Sequence, residues 1–340
     1  QNENLLFLNE YRQALNNGFL TLDSGYTQGF KNTSKTKTKG SQSHIFANLD
    51  LFFNKNETYE NSLSLKLQRT NNDTYFKKHS INTALVDPEN SNLINEIKYS
   101  FSNENMYFNI TGNMYEDLNK DTSSRYEYML PNILYGKTFF SENFGAIDFK
   151  SNAFYNNYDT NKYKTFLVND IIWTPFNKIT KGGLVNTFKG MVRNTNYETK
   201  KTGEYKDGGK VNELNAVLSY KSSLPLKKDG INYSNLFSPN LMLRIAPGHM
   251  RNLNSDDVSL NYSNLYSLNK TSEIEDGLSA ILGFDFKSNE KLSNNDSREK
   301  FSLSLGQVFN NKRNKKIPSK SSLDQKMSDV VGAINYNFSE

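Results

Sequence analysis

The sequence predicts an all-β protein, an antiparallel up-and-down transmembrane β-barrel, and three observations lead to that class. Apolar and polar residues alternate along many short segments, the connections between these segments alternate in length, and aromatic residues gather at the segment ends. A β-strand sends successive side chains to opposite faces, so each alternating segment is a strand with one apolar and one polar side. Because no linker rich in proline, glycine or serine divides the chain, residues 1–340 are predicted to form a single domain.

Residues 61–69 show the alternation most plainly. Leu63, Leu65 and Leu67 share one side of an extended chain, and polar side chains occupy the other. Read with a period of two, the whole sequence gives about sixteen strands, with ends placed to within about 2–4 residues. The predicted strands cover residues 4–14, 18–29, 44–53, 59–69, 92–101, 105–115, 125–139, 143–155, 162–174, 183–196, 211–223, 233–246, 258–268, 277–288, 297–309 and 327–338.

The connections between these strands add information that the strand count lacks. Short ones at 16–18, 54–58, 102–104 and 140–142 alternate with long polar ones at 31–43, 70–91, 116–124 and 198–210. Up-and-down membrane barrels have short turns at one end and long loops at the other, whereas a Greek-key sandwich gives no reason for strict alternation. The stretch 310–326 is long where the alternation requires a short turn, which indicates either a miscounted strand or a genuine insertion.

Composition agrees with strands that span a membrane. The chain is 36% hydrophobic and 13% aromatic, its mean hydropathy is −0.73, and no apolar run approaches the roughly 18 residues of a spanning helix. Barrel strands average out as polar because lipid-facing and lumen-facing residues alternate. Aromatic residues near the predicted strand ends, among them Phe52, Tyr107, Phe140 and Trp173, are typical of the girdles at the two membrane interfaces.

Two sets of side chains follow from the strand pattern. In a barrel the polar set lines a hydrated lumen of mixed charge and the apolar set faces lipid. The lumen-facing candidates are Asn48, Asp50, Ser64, Lys66, Gln68, Asp148, Lys150, Asp285 and Lys287. The lipid-facing candidates are Leu49, Leu51, Leu63, Leu65, Leu67, Leu282, Phe284, Leu303 and Leu305.

No residue pattern indicates catalysis, and the sequence predicts a protein that is not an enzyme and carries no cofactor or metal. The chain has no cysteine, which excludes disulfides and thiolate ligands, and it has no nucleophile elbow, phosphate-binding loop or dinucleotide fingerprint. The three histidines, at positions 44, 79 and 249, are too far apart for a local ligand motif and are interpreted as surface or interface residues.

Charged clusters are interpreted as loop residues. Acidic residues at 256–257 and 273–276 fall in predicted turns, where aspartate also stabilises the backbone, which is favoured over calcium binding or acid–base chemistry. The basic stretches 312–320 and 31–39 contribute to a net charge of +5. Neither lies on a periodic element, so solvated loops are favoured over a nucleic-acid site.

These residues leave two other classes open. A general porin or other outer-membrane channel of about sixteen strands fits the same pattern and would pair the first strand with the last. A soluble all-β adhesin or carbohydrate-binding module also fits, but it would turn its apolar faces inward between two sheets and fold without detergent.

Six stretches resemble one known family. They are LQRTNNDTYFKKHSI (67–81), LPNILYGKT (130–138), LFSPNLMLRIAPG (236–248), DGLSAILGFDF (276–286), SLSLGQVF (302–309) and LDQKMSDVVGA (323–333). In this order they resemble the LPS-assembly outer-membrane protein family, LptD, also called OstA or Imp. None is a catalytic signature, but the ordered set covers most of the chain.

The resemblance implies a function in the outer membrane of a Gram-negative cell, that of inserting lipopolysaccharide into the outer leaflet. The resemblance implies a family whose members carry a periplasmic jelly-roll, which receives lipopolysaccharide from a bridge protein of the LptA type. A large barrel follows the jelly-roll and is plugged by a lipoprotein of the LptE type. Lipid A is expected to leave through a lateral gate between the first and last strands while the sugars pass through the lumen. The implied partners are therefore lipopolysaccharide, membrane lipid and these two proteins, with no nucleic acid.

This sequence departs from the family pattern in having no recognisable jelly-roll, no cysteines and fewer strands than the roughly 26 of the largest ordinary barrels. It is therefore expected to be an incomplete barrel fragment, with the jelly-roll and the barrel ends not included, and no gate residue is assigned.

Overall fold

A computed structural model shows an all-β chain. It describes residues 5–32, 37–53, 58–87, 91–121, 123–159, 161–203, 205, 208–253, 258–292 and 296–338. Seventeen strands are found in this described part, and all belong to one antiparallel sheet. Within the same residues, no helix is both long enough and apolar enough to cross a membrane.

The strands are mostly long, and two short ones, β10 and β13, were not predicted. Helical structure in the described ranges consists of one five-residue helix, α1 (Tyr75–His79), and a 3₁₀ turn at Ser319–Ser321. The strands are β1 (Leu6–Leu15), β2 (Gly18–Asn32), β3 (Lys37–Phe52), β4 (Tyr59–Thr70), β5 (Asn92–Asn103), β6 (Met106–Asp117), β7 (Tyr126–Ser141), β8 (Gly145–Tyr158), β9 (Lys162–Thr174), β10 (Lys178–Ile179), β11 (Val185–Lys200), β12 (Val211–Ser223), β13 (Leu226–Asp229), β14 (Tyr233–Ala246), β15 (Gly277–Lys291), β16 (Ser297–Asn310) and β17 (Val331–Tyr336).

The chain divides into two compact units. Unit 1 comprises Gln1–Thr138, Lys150–Asn169 and Thr195–Asn212, and unit 2 comprises Phe139–Phe149, Asp170–Asn194 and Glu213–Glu340. In unit 1 each strand from β1 to β6 pairs antiparallel with the next strand in sequence. In unit 2 the same neighbour pairing runs from β13 through β14, β15 and β16 to β17. Sequence neighbours are thus spatial neighbours, which is the up-and-down arrangement.

Turn chemistry fixes the first hairpin. Leu15 and Gly18 are paired across a two-residue turn of Asn16 and Asn17. A side chain at position 18 would collide with the carbonyl of Asp50 on β3. Only glycine therefore lets three strands approach one another at this turn.

The connections after β4, β5, β6 and β7, and those after β14, β15 and β16, alternate in length as predicted, but the connections β2–β3 and β8–β9 are short where long ones were expected. One predicted strand was also wrongly placed. Residues 258–268 were predicted to be a strand, whereas they form turns and irregular structure within the long connection 247–276. Removing that strand from the count puts the connection 311–330 among the long ones, which resolves the break in the alternation. The predicted loop 31–43 was also too long, because β2 reaches Asn32 and β3 begins at Lys37.

The reason for the first error is visible in the packing. Val258 and Leu265 are buried, and Leu260 and Tyr262 pack against the same core of unit 2. The apolar residues of this segment therefore cover the sheet instead of pairing with a strand of it. Alternation alone cannot distinguish these two ways of burying every second side chain.

Candidate functional site

Strand register sorts the candidate residues of unit 1 onto two faces. On the polar face Asn48 lies opposite Lys66, which lies opposite Glu96. One row further along, Ser64 lies opposite Asp50, and its hydroxyl donates a hydrogen bond of 2.6 Å to the Asp50 carboxylate. The predicted polar residues of β3 and β4 are thus neighbours across the strands, on a face that carries both signs of charge.

The other face of these strands is apolar and exposed. Leu65 lies opposite Leu49 on β3 and opposite Ile97 on β5, and Leu63 lies opposite Leu51. The exposed fraction is 36% for Leu65 and 54% for Ile97. A soluble sheet buries its continuous apolar face, whereas this face is left open in unit 1.

Unit 2 repeats the arrangement. Phe284 lies opposite Leu305, and Leu303 lies opposite Phe286, on the same side as Leu282, which is 49% exposed. The intervening Asp285 and Lys287 lie opposite serines of β16. The nine lipid-facing candidates therefore lie on the exposed apolar faces of strands β3, β4, β15 and β16.

Exposed aromatic rings mark the strand ends at the short turns. In unit 1 they flank the turns after β1, β3 and β5, and in unit 2 they flank the connections after β7 and β9. The indole N–H of Trp173 donates a 2.8 Å hydrogen bond to the Phe144 carbonyl. Aromatic rings with one apolar and one hydrated edge are enriched at membrane interfaces. The residues in question are Phe19, Phe52, Phe53, Tyr107, Phe139, Phe140, Phe144, Trp173 and Phe176.

Part of the polar face in unit 1 is covered by the connection between β4 and β5. Helix α1 places Tyr75 and Phe76 against Phe46, and all three are buried together with Ile81 and Leu93. The candidate residue Gln68 is buried under this cover. Its side-chain amide donates to the Leu85 carbonyl at 2.9 Å, and its side-chain oxygen accepts the Ile94 N–H at 2.7 Å.

A buried histidine anchors this cover, contrary to the prediction of a surface residue. The His44 side chain lies 3.0 Å from an Asp23 carboxylate oxygen through Nε2 and 3.3 Å from the Tyr75 hydroxyl through Nδ1. Burial, and secondarily the charge of Asp23, raises the pKa of Tyr75 to about 12. Gly25 makes room for the cluster, because a side chain there would collide with His44 and Tyr75. The three side chains tie the connection to β2 and β3, and no period-two pattern predicted their contact.

In unit 2 the connection between β14 and β15 covers the polar face in the same way. Met242, Ile281 and Val308 form successive register partners on that face and are buried against Leu253 and Leu265. Sequence reasoning overlooked these residues, yet each stands next to another apolar residue and so breaks the polar–apolar alternation. Such adjacent apolar pairs are the signal that a polar face carries a local core.

Asp285 is the polar anchor of this second cover. Its carboxylate accepts hydrogen bonds from the hydroxyls of Tyr262 and Ser304 and from the Asn240 amide. Burial, together with the hydrogen bond to Asp285, raises the pKa of the Tyr262 hydroxyl. Side chains at Gly283 or Gly306 would collide with the covering segment, at Tyr266 and Leu265 respectively.

The remaining polar candidates lie outside these covers. Lys287 is exposed, with its ammonium 3.1 Å from Glu299. Asp148 and Lys150 occupy alternate positions of β8, where Asp148 is half-buried and Lys150 is exposed. Along β4 and β15, covered Gln68 and Asp285 lie closer to the long connections than open Lys66 and Lys287 do.

The carboxylates considered for calcium serve other purposes. Glu273 lies 2.9 Å from Arg251, and Glu275 and Asp276 contact Arg244 and Lys312. Within the described ranges, no three histidine, aspartate or glutamate side chains group closely enough to hold a metal ion. The predicted pair at 256–257 lies outside those ranges.

The exposed apolar faces, the opposite polar faces, the antiparallel neighbour pairing and the aromatic strand ends define a protein of the up-and-down β-barrel class. The model of the family "LPS transport system D", LptD, matches residues 27–340. The chain belongs to the LptD family and is thus an outer-membrane component of lipopolysaccharide transport. A search of curated proteins found no match.

Proposed function

We propose that this chain forms part of the wall along which lipopolysaccharide reaches the outer leaflet, with the sugars on the polar face and the acyl chains on the lipid side. The observation that carries the proposal is the separation of charged and leucine or phenylalanine side chains onto opposite faces of β3, β4, β15 and β16 through the strand register. Lipopolysaccharide has a hydrated anionic head and an apolar tail, so a wall with one hydrated and one apolar face matches both parts. Delivery through a lateral gate, and exchange with proteins of the LptE and LptA types, belong to the same proposal.

Mixed charge on the polar face suits a sugar–phosphate cargo. Lys66 opposite Glu96, and Lys98 opposite Ser64, provide cations for phosphate groups and carboxylates or hydroxyls for sugars. Uniformly positive charge would hold an anionic cargo too tightly for it to leave, because transport requires weak binding at several sites. The open part of the face in unit 1 is therefore proposed as the stretch that contacts the sugars.

The covers at the long-connection end restrict this path. In each unit a folded connection occupies the polar face and is held there by a carboxylate, Asp23 or Asp285. We propose that the cargo moves along the open part until it meets these covers. A plug of the LptE type would then contact the same polar face.

Site-specific photocrosslinking in cells tests this function. A photoreactive amino acid at position 66, on the open polar face, is expected to give adducts with lipopolysaccharide. The matched control is position 65, which lies on the same strand with its side chain on the opposite face. Adducts at 65 should be with phospholipid or acyl chains.

A third crosslinking position distinguishes a residue on the transport path from one that is merely on the same polar face. Position 285 lies under the covering segment 258–276, so it should give weaker lipopolysaccharide adducts than position 66. Equal yields of lipopolysaccharide adducts at 65 and 66, or none at either, would contradict the proposed path.

A further inference from the structure

Two cations are buried at the base of the long connections of unit 2. Arg244 on β14 is only 2% exposed and Lys270 only 7% exposed, and a single carboxylate, Glu275, serves both. Burial lowers the pKa of Lys270 despite the attraction of Glu275. A buried excess of positive charge is costly unless an anion or another acceptor offsets it.

The hydrogen bonds of Arg244 leave one donor unused. Its Nε donates to the Leu268 carbonyl, and its Nη1 donates to the Glu275 carbonyl at 2.8 Å. Its Nη2 is buried without a hydrogen-bond partner, because the nearest Glu275 oxygen is 3.6 Å away. Buried arginine donors are normally satisfied, so this nitrogen can donate to an acceptor that enters the adjoining cavity.

A cavity of about 20 Å³ lies beside this arginine. Its lining brings together three cations, Arg244, Lys270 and Lys312, with two carboxylates, Glu275 and Asp276. Both carboxylates are already engaged: Glu275 accepts the Lys270 backbone N–H, and Asp276 accepts the Asn314 amide at 2.7 Å and pairs with Lys312 at 3.2 Å. The cavity exceeds the roughly 10–15 Å³ needed for one oxygen-sized atom.

The rim of the cavity continues the positive charge outward. Lys312 lies at the start of the connection 311–330, where Ile317 and Leu323 are buried and hold the segment in place. Arg313, Lys315, Lys316 and Lys320 are exposed on this same connection, and within the described residues none of them has a carboxylate within 4.0 Å. A fixed segment thus places one lysine, Lys312, at the opening that leads to a buried cationic donor, and carries further exposed cations nearby in sequence.

We propose that this pocket binds a phosphoryl group of the lipopolysaccharide headgroup. One phosphoryl oxygen accepts from the free Nη2 donor of Arg244, and the oxygens that remain at the rim contact Lys312. The inference deepens the proposed function and rests on it for the source of the phosphate. It assigns a separate task to a basic segment that composition alone would treat as a solvated loop.

The test measures binding of labelled lipopolysaccharide to the full chain folded in detergent micelles. Lys312→Gln and Lys270→Met each remove a cation from the pocket, and each is expected to weaken binding about tenfold or more, as for loss of a charge-assisted hydrogen bond. Lys181→Gln is the matched control, because Lys181 is an exposed cation in the short connection after β10. Circular dichroism and trypsin resistance identify any variant that fails to fold. If Lys270→Met fails to fold, the exposed Lys312→Gln variant still tests the proposal.

Two further arms identify the ligand. Lipopolysaccharide stripped of its phosphates should bind wild type weakly and should not distinguish the variants, and inorganic phosphate should compete with the intact molecule. Unchanged binding by both pocket variants would overturn the proposal, as would equal binding of intact and dephosphorylated lipopolysaccharide. Crosslinking at position 66 does not depend on this pocket. If position 66 crosslinks to lipopolysaccharide while the pocket variants bind normally, the phosphoryl site is wrong and the proposed function is still supported.

Discussion

Replacing Leu65 by arginine perturbs the apolar face at the middle of β4. Leu65 lies between Leu49 and Ile97 on the neighbouring strands and is 36% exposed on that face. If this face meets lipid, an arginine near the bilayer midplane destabilises a barrel by about 2–4 kcal/mol. Since about 1.4 kcal/mol corresponds to a factor of ten, the folding equilibrium should fall by roughly 30-fold to several hundred-fold.

The neighbouring position provides the control. Ser64 has the same depth on β4, lies on the polar face, and contacts Asp50. Arginine at 64 would gain that carboxylate as a partner and keep its charge in water, so the expected cost is below about 1 kcal/mol. Both variants would be measured by urea unfolding of the chain refolded in lipid vesicles, followed by far-ultraviolet circular dichroism. Equal costs for the two variants would refute the assignment of the faces.

Three other changes test the covers on the polar face. Ile281→Ala shortens a fully buried side chain and should lower the free energy of unfolding by about 2–5 kcal/mol. The matched change at the exposed neighbour, Leu282→Ala, should lower it by about 1–2 kcal/mol. Urea unfolding measures both values, and a larger loss at 282 would be inconsistent with a local core. Gly306→Leu should push Leu265 off the sheet and make the segment 258–276 sensitive to trypsin, so an unaltered digestion pattern would count against the close approach. Tyr75→Phe should remove one tyrosine that ionises near pH 12 from the absorbance titration at high pH. The pKa of Tyr75 is raised on folding, so the contribution of Tyr75 to stability is complete below the ordinary tyrosine pKa of about 10 and is lost as the pH rises through about 12. A difference titration between wild type and variant that is centred near pH 10 would contradict the burial of Tyr75.

Alternation predicted the strands because successive side chains of a strand point to opposite faces, and polar and apolar residues alternate along each clear example. The ladder Leu63, Leu65 and Leu67 needs no distant partner to be recognised, since its period alone fixes which side chains point together. The ordered resemblance to the LptD family was confirmed by the match over residues 27–340. The assignments of individual residues to lumen and lipid stay predictions.

The covers could not be predicted from the same signal. Val258 and Leu265 have the alternation of a strand, but they bury their side chains on an existing face. His44 is buried because α1, more than thirty residues later in the chain, folds back onto β3. Such contacts depend on the path of a connection, and a period-two pattern contains no information about that path.

Quenching of a fluorophore attached on each face tests most directly the claim that the two faces meet different environments. Single cysteines at 65 and 282, and at 66 and 287, would carry the same probe in the full chain refolded in vesicles. The first pair should be quenched by lipids that carry a quencher on the acyl chain, and the second pair by water-soluble iodide. Equal quenching of all four positions by iodide, with none by the lipid quencher, would contradict the account.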